Sequence, residues 1–195
     1  MSGASQQVFL VRHGETEWSR SGQHTGRTDI ALTDRGRAQA ELLGQTLRGR
    51  ELTVRTSPLD RARETCRLAG FDAPAVDNDL TEWNYGVYEG RTTLDIRQEI
   101  PEWSVWNSPI PDGETLDQVA ERAHHVIHRV TAATNGDIAL FAHGHILRIL
   151  AACWIGLPPV AGRLLALDTA TISVLGYERE TRVIKHWNVA PPAPR

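Results

Sequence analysis

A short, largely apolar run, Gln7 to Val11, stops at the polar cluster Arg12-His13-Gly14-Glu15-Thr16. A run this short is the length of a strand, and one with no polar alternation is buried on both faces. The pattern recurs where Ile138 to Ala142 leads into His143-Gly144-His145. Two buried strands that each discharge a histidine loop require a sheet covered on both sides, because a strand without a solvent face cannot sit at a wet surface.

The rest of the chain supplies the cover. Thr33 reads as an N-cap, and Ala38, Leu42, Leu43, Thr46 and Leu47 recur at helical spacing until Gly49. A strand near Thr53 to Thr56 is followed by Ser57-Pro58, read as a cap with proline in the first turn, and by a helix that Gly70 closes, with Arg61 near its start. Val119, Ala123, Val126, Ile127 and Val130 mark a helical face within Glu114 to Thr134, ended by Asn135-Gly136. A helix from Ile146 to Ile155 stops at Gly156 and Pro158-Pro159, and strands follow at Thr171 to Gly176 and Arg182 to Trp187.

The alternation predicts an α/β fold of three layers: a mostly parallel central sheet with helices on both faces and the last strands as an antiparallel edge. One domain over residues 1–189 is expected. Phe71 to Gly90 reads as a loop with a short apolar piece at Val76. Residues 91–113, interrupted by Pro101, Pro109 and Pro111, read as a mobile lid or insertion, and 190–195 as a disordered proline-rich tail.

A net charge of -3 over 195 residues gives no general attraction for nucleic acid or an anionic membrane, so neither is expected as a partner. Any anion has to be caught locally. All but one of the 21 basic residues are arginine, the better bidentate partner for phosphate, although codon bias accounts for that excess equally well. Cys66 and Cys153 lack metal or redox spacing and read as reduced, packed thiols. The start MSGASQQ has neither a basic nor an apolar leader region, and no apolar stretch is long enough to span a bilayer, so the expected location is the cytoplasm.

Both histidine clusters fall at the carboxyl ends of buried strands, where open α/β sheets form their ligand crevice. His13, His143, Arg12 and Arg61 together would make a local cationic cup suited to a phosphoryl group. Leu10-Val11-Arg12-His13-Gly14-Glu15-Thr16 resembles the signature of the histidine phosphatase superfamily, which includes the cofactor-dependent phosphoglycerate mutases. Thr25-Gly26, Leu32-Thr33, Gly36, Ser57-Pro58-Leu59, Arg61-Ala62, Thr65, Glu82 and His143-Gly144 follow in the order of that family, and the resemblance spans about residues 7–176.

The resemblance implies a phosphoglycerate mutase-like fold, with His13 as nucleophile. It implies Arg12, Arg61 and His143 as holders of the phosphoryl oxygens, and Glu82 as proton donor to the leaving alcohol. Thr25, Gly26, Tyr85, Gly144 and His145 complete the expected phosphate and substrate site; no metal and no cofactor is expected. The chemistry asks for the same types: an unprotonated imidazole to attack, cations for the equatorial oxygens, and an acid to prevent loss of an alkoxide. Trp83 and Tyr85 suggest an apolar wall that would keep Glu82 protonated, predicting faster turnover at mildly acidic pH.

Mutases of this family carry a lysine about a dozen residues after the acid glutamate and a longer insertion with paired arginines; here that position is Thr93, with Arg91 and Arg97 as the only local substitutes. Ser19 after Trp18 and His24 before Thr25 are further departures. Glu82 to Gly90 is instead similar to the phosphatase branch of broad acid phosphatases and sedoheptulose-bisphosphatase-like sugar phosphatases. The expected function is therefore hydrolysis of small phosphate monoesters, sugar phosphates among them. Phosphoglycerate mutase is the alternative, and a non-catalytic phospholigand-binding module, which would lack His13 or Glu82, is a third reading. The expected partner is a small phosphorylated metabolite; a homodimer stays open. His124 and His128, four apart on a helix, read as a solvated face rather than a metal site, and Trp103 and Trp106 as a staple holding the insertion to the core.

Overall fold

The computed structural model describes residues 6–133 and 136–192. Its sheet contains β1 (Val8–Arg12), β2 (Leu52–Thr56), β3 (Ala75–Val76), β4 (Asp137–Ala142), β5 (Ile172–Glu178) and β6 (Thr181–Val189), in the order β3-β2-β4-β1-β5-β6. β1, β2, β3 and β4 run parallel, and β5 and β6 add the antiparallel side, as the alternation of strands and helices predicts.

The register of the two central strands positions the site. Arg12 of β1 stands opposite Ala142 of β4, so the next residue of each chain segment, His13 and His143, leaves the sheet at the same height. The His13 amide donates to the Ala142 carbonyl at 3.0 Å, and the His13 carbonyl accepts from Ala170 at 3.0 Å. His13 is thus held by backbone on both its amide and its carbonyl before any side-chain contact is counted.

Six α-helices complete the described fold: α1 (Glu17–Ser21), α2 (Asp34–Leu47), α3 (Asp60–Leu68), α4 (Thr93–Glu99), α5 (Leu116–Ala132) and α6 (Gly144–Trp154). Against one sheet face, Val126 of α5 and Leu147 and Leu150 of α6 pack on Val8, Leu10 and Leu140. Against the other, Leu43 and Leu47 of α2 and Cys66 of α3 pack on Phe9, Val11 and Phe141. Alternating side chains along a strand point to opposite faces, which is why Phe9 and Leu10 belong to different cores.

The caps explain several boundaries. Thr33 accepts from the Gly36 amide as the N-cap of α2, and Thr115 and Gln118 form a reciprocal capping box at α5. Ser57 is not the cap of α3, which begins at Asp60 with Leu59 as N-cap and no side-chain cap bond; the Ser57 hydroxyl accepts from the Leu59 amide at 3.3 Å and is also engaged by His143 at 2.7 Å. α6 begins at Gly144, two residues before the expected Ile146, so His143 itself is its N-cap. Asn135, expected to end α5, lies outside the described residues; Gly136 beside it is left-handed at φ 76°. The proline-rich tail falls partly outside them too, with Ala190 to Pro192 described as irregular chain.

The insertion 91–113 contains α4, which the sequence pattern did not reveal, and its Ile96 and Trp103 are buried in the larger core. Trp103 thus anchors the segment as a staple does, against Tyr88 at 5.0 Å and His24 at 5.2 Å between ring centres. No helix among the described residues is long and apolar enough to cross a membrane.

Candidate active site

His13 is buried, and its Nδ1 lies 2.7 Å from the carbonyl oxygen of Gly14. A carbonyl can only accept, so Nδ1 carries the proton and the lone pair is on Nε2. Burial, with the Arg61 and Arg12 guanidinium groups next in importance, holds the ring well below the usual histidine range and therefore neutral. The loop that fixes this ring is close-packed: the Gly14 amide donates to Thr65 Oγ1 at 3.0 Å, and a Cβ on Gly14 would meet the Gly36 carbonyl oxygen at 2.3 Å.

His143 lies beside it, ring centres 5.2 Å apart. Its Nδ1 accepts from Arg61 Nε at 3.1 Å, which leaves the proton on Nε2, donated to Ser57 Oγ at 2.7 Å. Burial first, then the charge of Arg61, keeps this ring neutral as well.

Arg61 itself is wholly buried. Besides His143 it donates from Nη1 to the Thr28 carbonyl at 3.0 Å, and from Nη2 to the carbonyls of Thr25 at 3.1 Å and Gly26 at 2.9 Å. Nη1 also lies 3.4 Å from Asp29 Oδ1. The sequence expectation put Arg61 on the phosphoryl oxygens. In the structure its N–H groups are taken up by protein acceptors, and it forms a layer beneath the cup that ties the 25–29 loop to His143.

Arg12 does reach the open space. One of its Nη atoms donates to the Leu167 carbonyl, while Nε has no acceptor among the described residues. Gly144, the first residue of α6, lies close to this charge: a Cβ there would touch the Arg12 guanidinium carbon at 3.4 Å, an ordinary van der Waals contact.

Glu82 is buried and accepts three backbone N–H bonds, each at 2.9 Å: from Trp83 and Ile146 on Oε1, and from His145 on Oε2. Two of these come from the first turn of α6, whose N–H groups have no acceptor within the helix. Trp83 and Tyr85, the residues expected to wall it, are each 1% exposed. The Tyr85 hydroxyl is 2.6 Å from His145 Nδ1, and burial, ahead of the charge of Glu82, raises the phenol well above its usual range, so it stays protonated.

These groups open on one cavity of about 170 Å³. Arg12, His13, Thr25, Glu82, Tyr85, Gly144 and His145 line it, whereas Arg61, His143 and Gly26 stand behind the lining. Gly26 serves by compactness: a Cβ there would meet the Trp83 carbonyl oxygen at 2.5 Å.

Other lining residues were not assigned from sequence: Ser19, Gln23, His24 and Arg148. His24 was visible only as a departure from the family pattern; here its Nε2 is 3.2 Å from Thr93 Oγ1, and burial lowers its pKa to about 4. Arg148 follows His145 by three positions on α6, so the helical period alone places the two on one face. His124 and His128 are exposed, and the described residues contain no group of three metal-ligating side chains.

The sequence matches the model of the histidine phosphatase superfamily (branch 1) over residues 8–190. An acid phosphatase of Mycobacterium tuberculosis is 41% identical, with 93% of this chain and 92% of that protein covered. A sedoheptulose 1,7-bisphosphatase of Saccharomyces cerevisiae is 36% identical over 80% of this chain and 70% of that protein. A solved structure from Mycobacterium tuberculosis superposes with a TM-score of 0.91 at 38% identity, covering 96% of this chain and 99% of that one. With two histidine loops at adjoining strand ends and a family match across nearly its full length, the chain belongs to the histidine phosphatase superfamily, branch 1.

Proposed function

We propose that the protein is a phosphoric monoester hydrolase that acts on small phosphorylated metabolites, sugar phosphates in particular, through a phosphohistidine at His13. The observation that carries this reading is the fixed tautomer of His13, whose protonated Nδ1 is bound to Gly14 and whose Nε2 keeps its lone pair. In the first step Nε2 bonds to phosphorus, the bond from phosphorus to the ester oxygen breaks, and Glu82 gives that oxygen a proton. In the second, water attacks phosphorus, the bond to Nε2 breaks, inorganic phosphate leaves, and Glu82 recovers a proton from the water. Arg12, which lines the cavity beside His13, is the cation that meets the phosphoryl oxygens. His143 supports the His13 ring from behind the lining, 5.2 Å away between ring centres, and Arg61 positions His143. Thr25, Gly144, Tyr85 and His145 shape the surrounding wall, and Gly26 the packing behind it.

Water, rather than a bound phosphoglycerate, is the acceptor in this reading. At the position where a mutase has its lysine, Thr93 holds His24. The reaction belongs in the cytoplasm, a location that accords with the two free, buried cysteines, Cys66 and Cys153, whose thiols burial pushes up to about 12 and about 11.

The test is a screen of p-nitrophenyl phosphate, sugar mono- and bisphosphates and 3-phosphoglycerate, with free phosphate and isomerised product scored separately. Release of free phosphate alone is expected. Isomerised product as the main outcome would establish the mutase, and no turnover of any ester would establish a binding module.

A further inference from the structure

The cavity has a second cation that the phosphoryl chemistry does not use. Arg148 lines it from α6, with its guanidinium 4.8 Å from the centre of the Trp106 ring. Its Nε donates to the Gly162 carbonyl at 3.0 Å and its Nη2 to the Arg163 carbonyl at 3.2 Å. These three contacts fix the plane of the group. They leave Nη1 without a protein acceptor, and no carboxylate lies within ion-pairing distance of Arg148, among the described residues. An arginine oriented by neutral carbonyls and an indole, with Glu82 acting on it through space but no carboxylate in direct contact, is preorganised to take an anion from outside.

The alternative is a purely structural arginine holding the 159–164 turn to α6. That role uses Nε and Nη2 and explains the two carbonyl bonds. It does not explain why Arg148 also lines the reaction cavity, on the same helical face as His145.

We propose that Arg148 is a specificity-determining residue that binds a second anionic group, a phosphate or carboxylate on the leaving portion of the substrate, while Arg12 meets the group being transferred. The preferred substrates are then phosphate monoesters that carry another negative charge. The inference rests on the hydrolase reading for the identity of the cavity, yet it is a statement about binding and is tested without turnover.

The experiment measures calorimetric affinities of 1,3-propanediol bisphosphate and n-propyl phosphate for the His13→Ala protein, which cannot consume either. The bisphosphate is expected to bind about ten- to a hundredfold more tightly, the value of one charge-assisted contact in a sheltered site. In His13→Ala/Arg148→Gln the preference collapses toward unity, and in His13→Ala/Arg148→Lys, which restores charge without the planar fork, part of it returns. The lysine variant also serves if the glutamine variant fails to fold. Equal affinities in His13→Ala, a preference that survives at full size in the folded glutamine variant, or a lysine variant with no preference at all, would overturn the proposal. Failure of the hydrolase reading would appear separately, as absence of free phosphate from the wild-type enzyme.

Discussion

Arg61 donates its Nε–H to Nδ1 of His143 across 3.1 Å, inside a pair with no exposed surface on either partner. Because a guanidinium cannot accept, this bond dictates which nitrogen of His143 faces Ser57. Arg61→Met removes it and strands the carbonyls of Thr25, Gly26 and Thr28. Loss of one partner of a buried charged network costs about 3–5 kcal/mol, and misplacement of His143 and the 25–29 loop costs about a hundredfold in kcat. Chemical denaturation and steady-state kinetics on the same protein check both; a fully stable, fully active variant would remove Arg61 from the account.

Four histidines, His13, His24, His143 and His145, have pKa values lowered chiefly by burial. Below pH 6.5 the unfolded chain takes up protons that the folded one refuses. Stability is therefore fully present above that pH and falls as the solution is acidified toward the folded values. Each of these groups contributes up to about 1.4 kcal/mol per pH unit in that window. Thermal melts at pH 7.5, 6.5 and 5.5 should show Tm descending, and a His24→Phe protein should descend less steeply. A Tm that rises on acidification would contradict the assignment.

Activity and stability part company here. With His13 held neutral well below pH 6.5, its nucleophilic form persists while the fold weakens. The profile of kcat/KM should show no acid limb with a bend near 6.5, which is compatible with faster turnover at mildly acidic pH. A tenfold loss per pH unit below that value, measured in the folded range, would mean that the nucleophile titrates normally.

Glu82→Gln tests the proton donor through the leaving group. Loss of general acid catalysis costs about 10²- to 10⁴-fold for an alkyl phosphate. The penalty should be much smaller for p-nitrophenyl phosphate, whose phenolate departs without a proton. An equal loss on both substrates would assign Glu82 a structural part at the start of α6.

Gly36→Ala probes the contact behind the nucleophile loop. The added Cβ would meet the Glu15 carbonyl oxygen at 2.1 Å and the Glu15 backbone nitrogen at 2.8 Å. A clash of that kind costs about 1–3 kcal/mol and should move Gly14 and, with it, His13. Denaturant midpoint and kcat should fall together; unchanged values would show that the loop has slack the packing does not reveal.

The sheet was legible because β1 and β4 are apolar on both faces and stop at polar residues, and the register of that pair is what brings His13 and His143 together. The family signature supplied the cup. What remained hidden was set by tertiary contacts. Thr92 and Asp95 cap α4 with an ordinary box, but seven residues among prolines carry too little periodicity to stand out. Ser57 has the chemistry of a helix cap and was read as one; only the fold shows that His143 occupies its hydroxyl. The inward position of Arg61 was equally unreadable, since a charged residue near a helix start is usually exposed and here three carbonyls from a distant loop surround it. Arg148 had a signal, its spacing from His145, but no sequence pattern says that Gly162 and Arg163 would orient it.

The most direct test is rapid acid-free quenching of the enzyme during turnover, followed by mass spectrometry of its peptides under alkaline conditions that preserve phosphoramidates. The account predicts a phosphoryl group on His13 in the wild type, accumulating within one turnover and absent from His13→Ala. Phosphate found on another residue, or full turnover by His13→Ala, would contradict it.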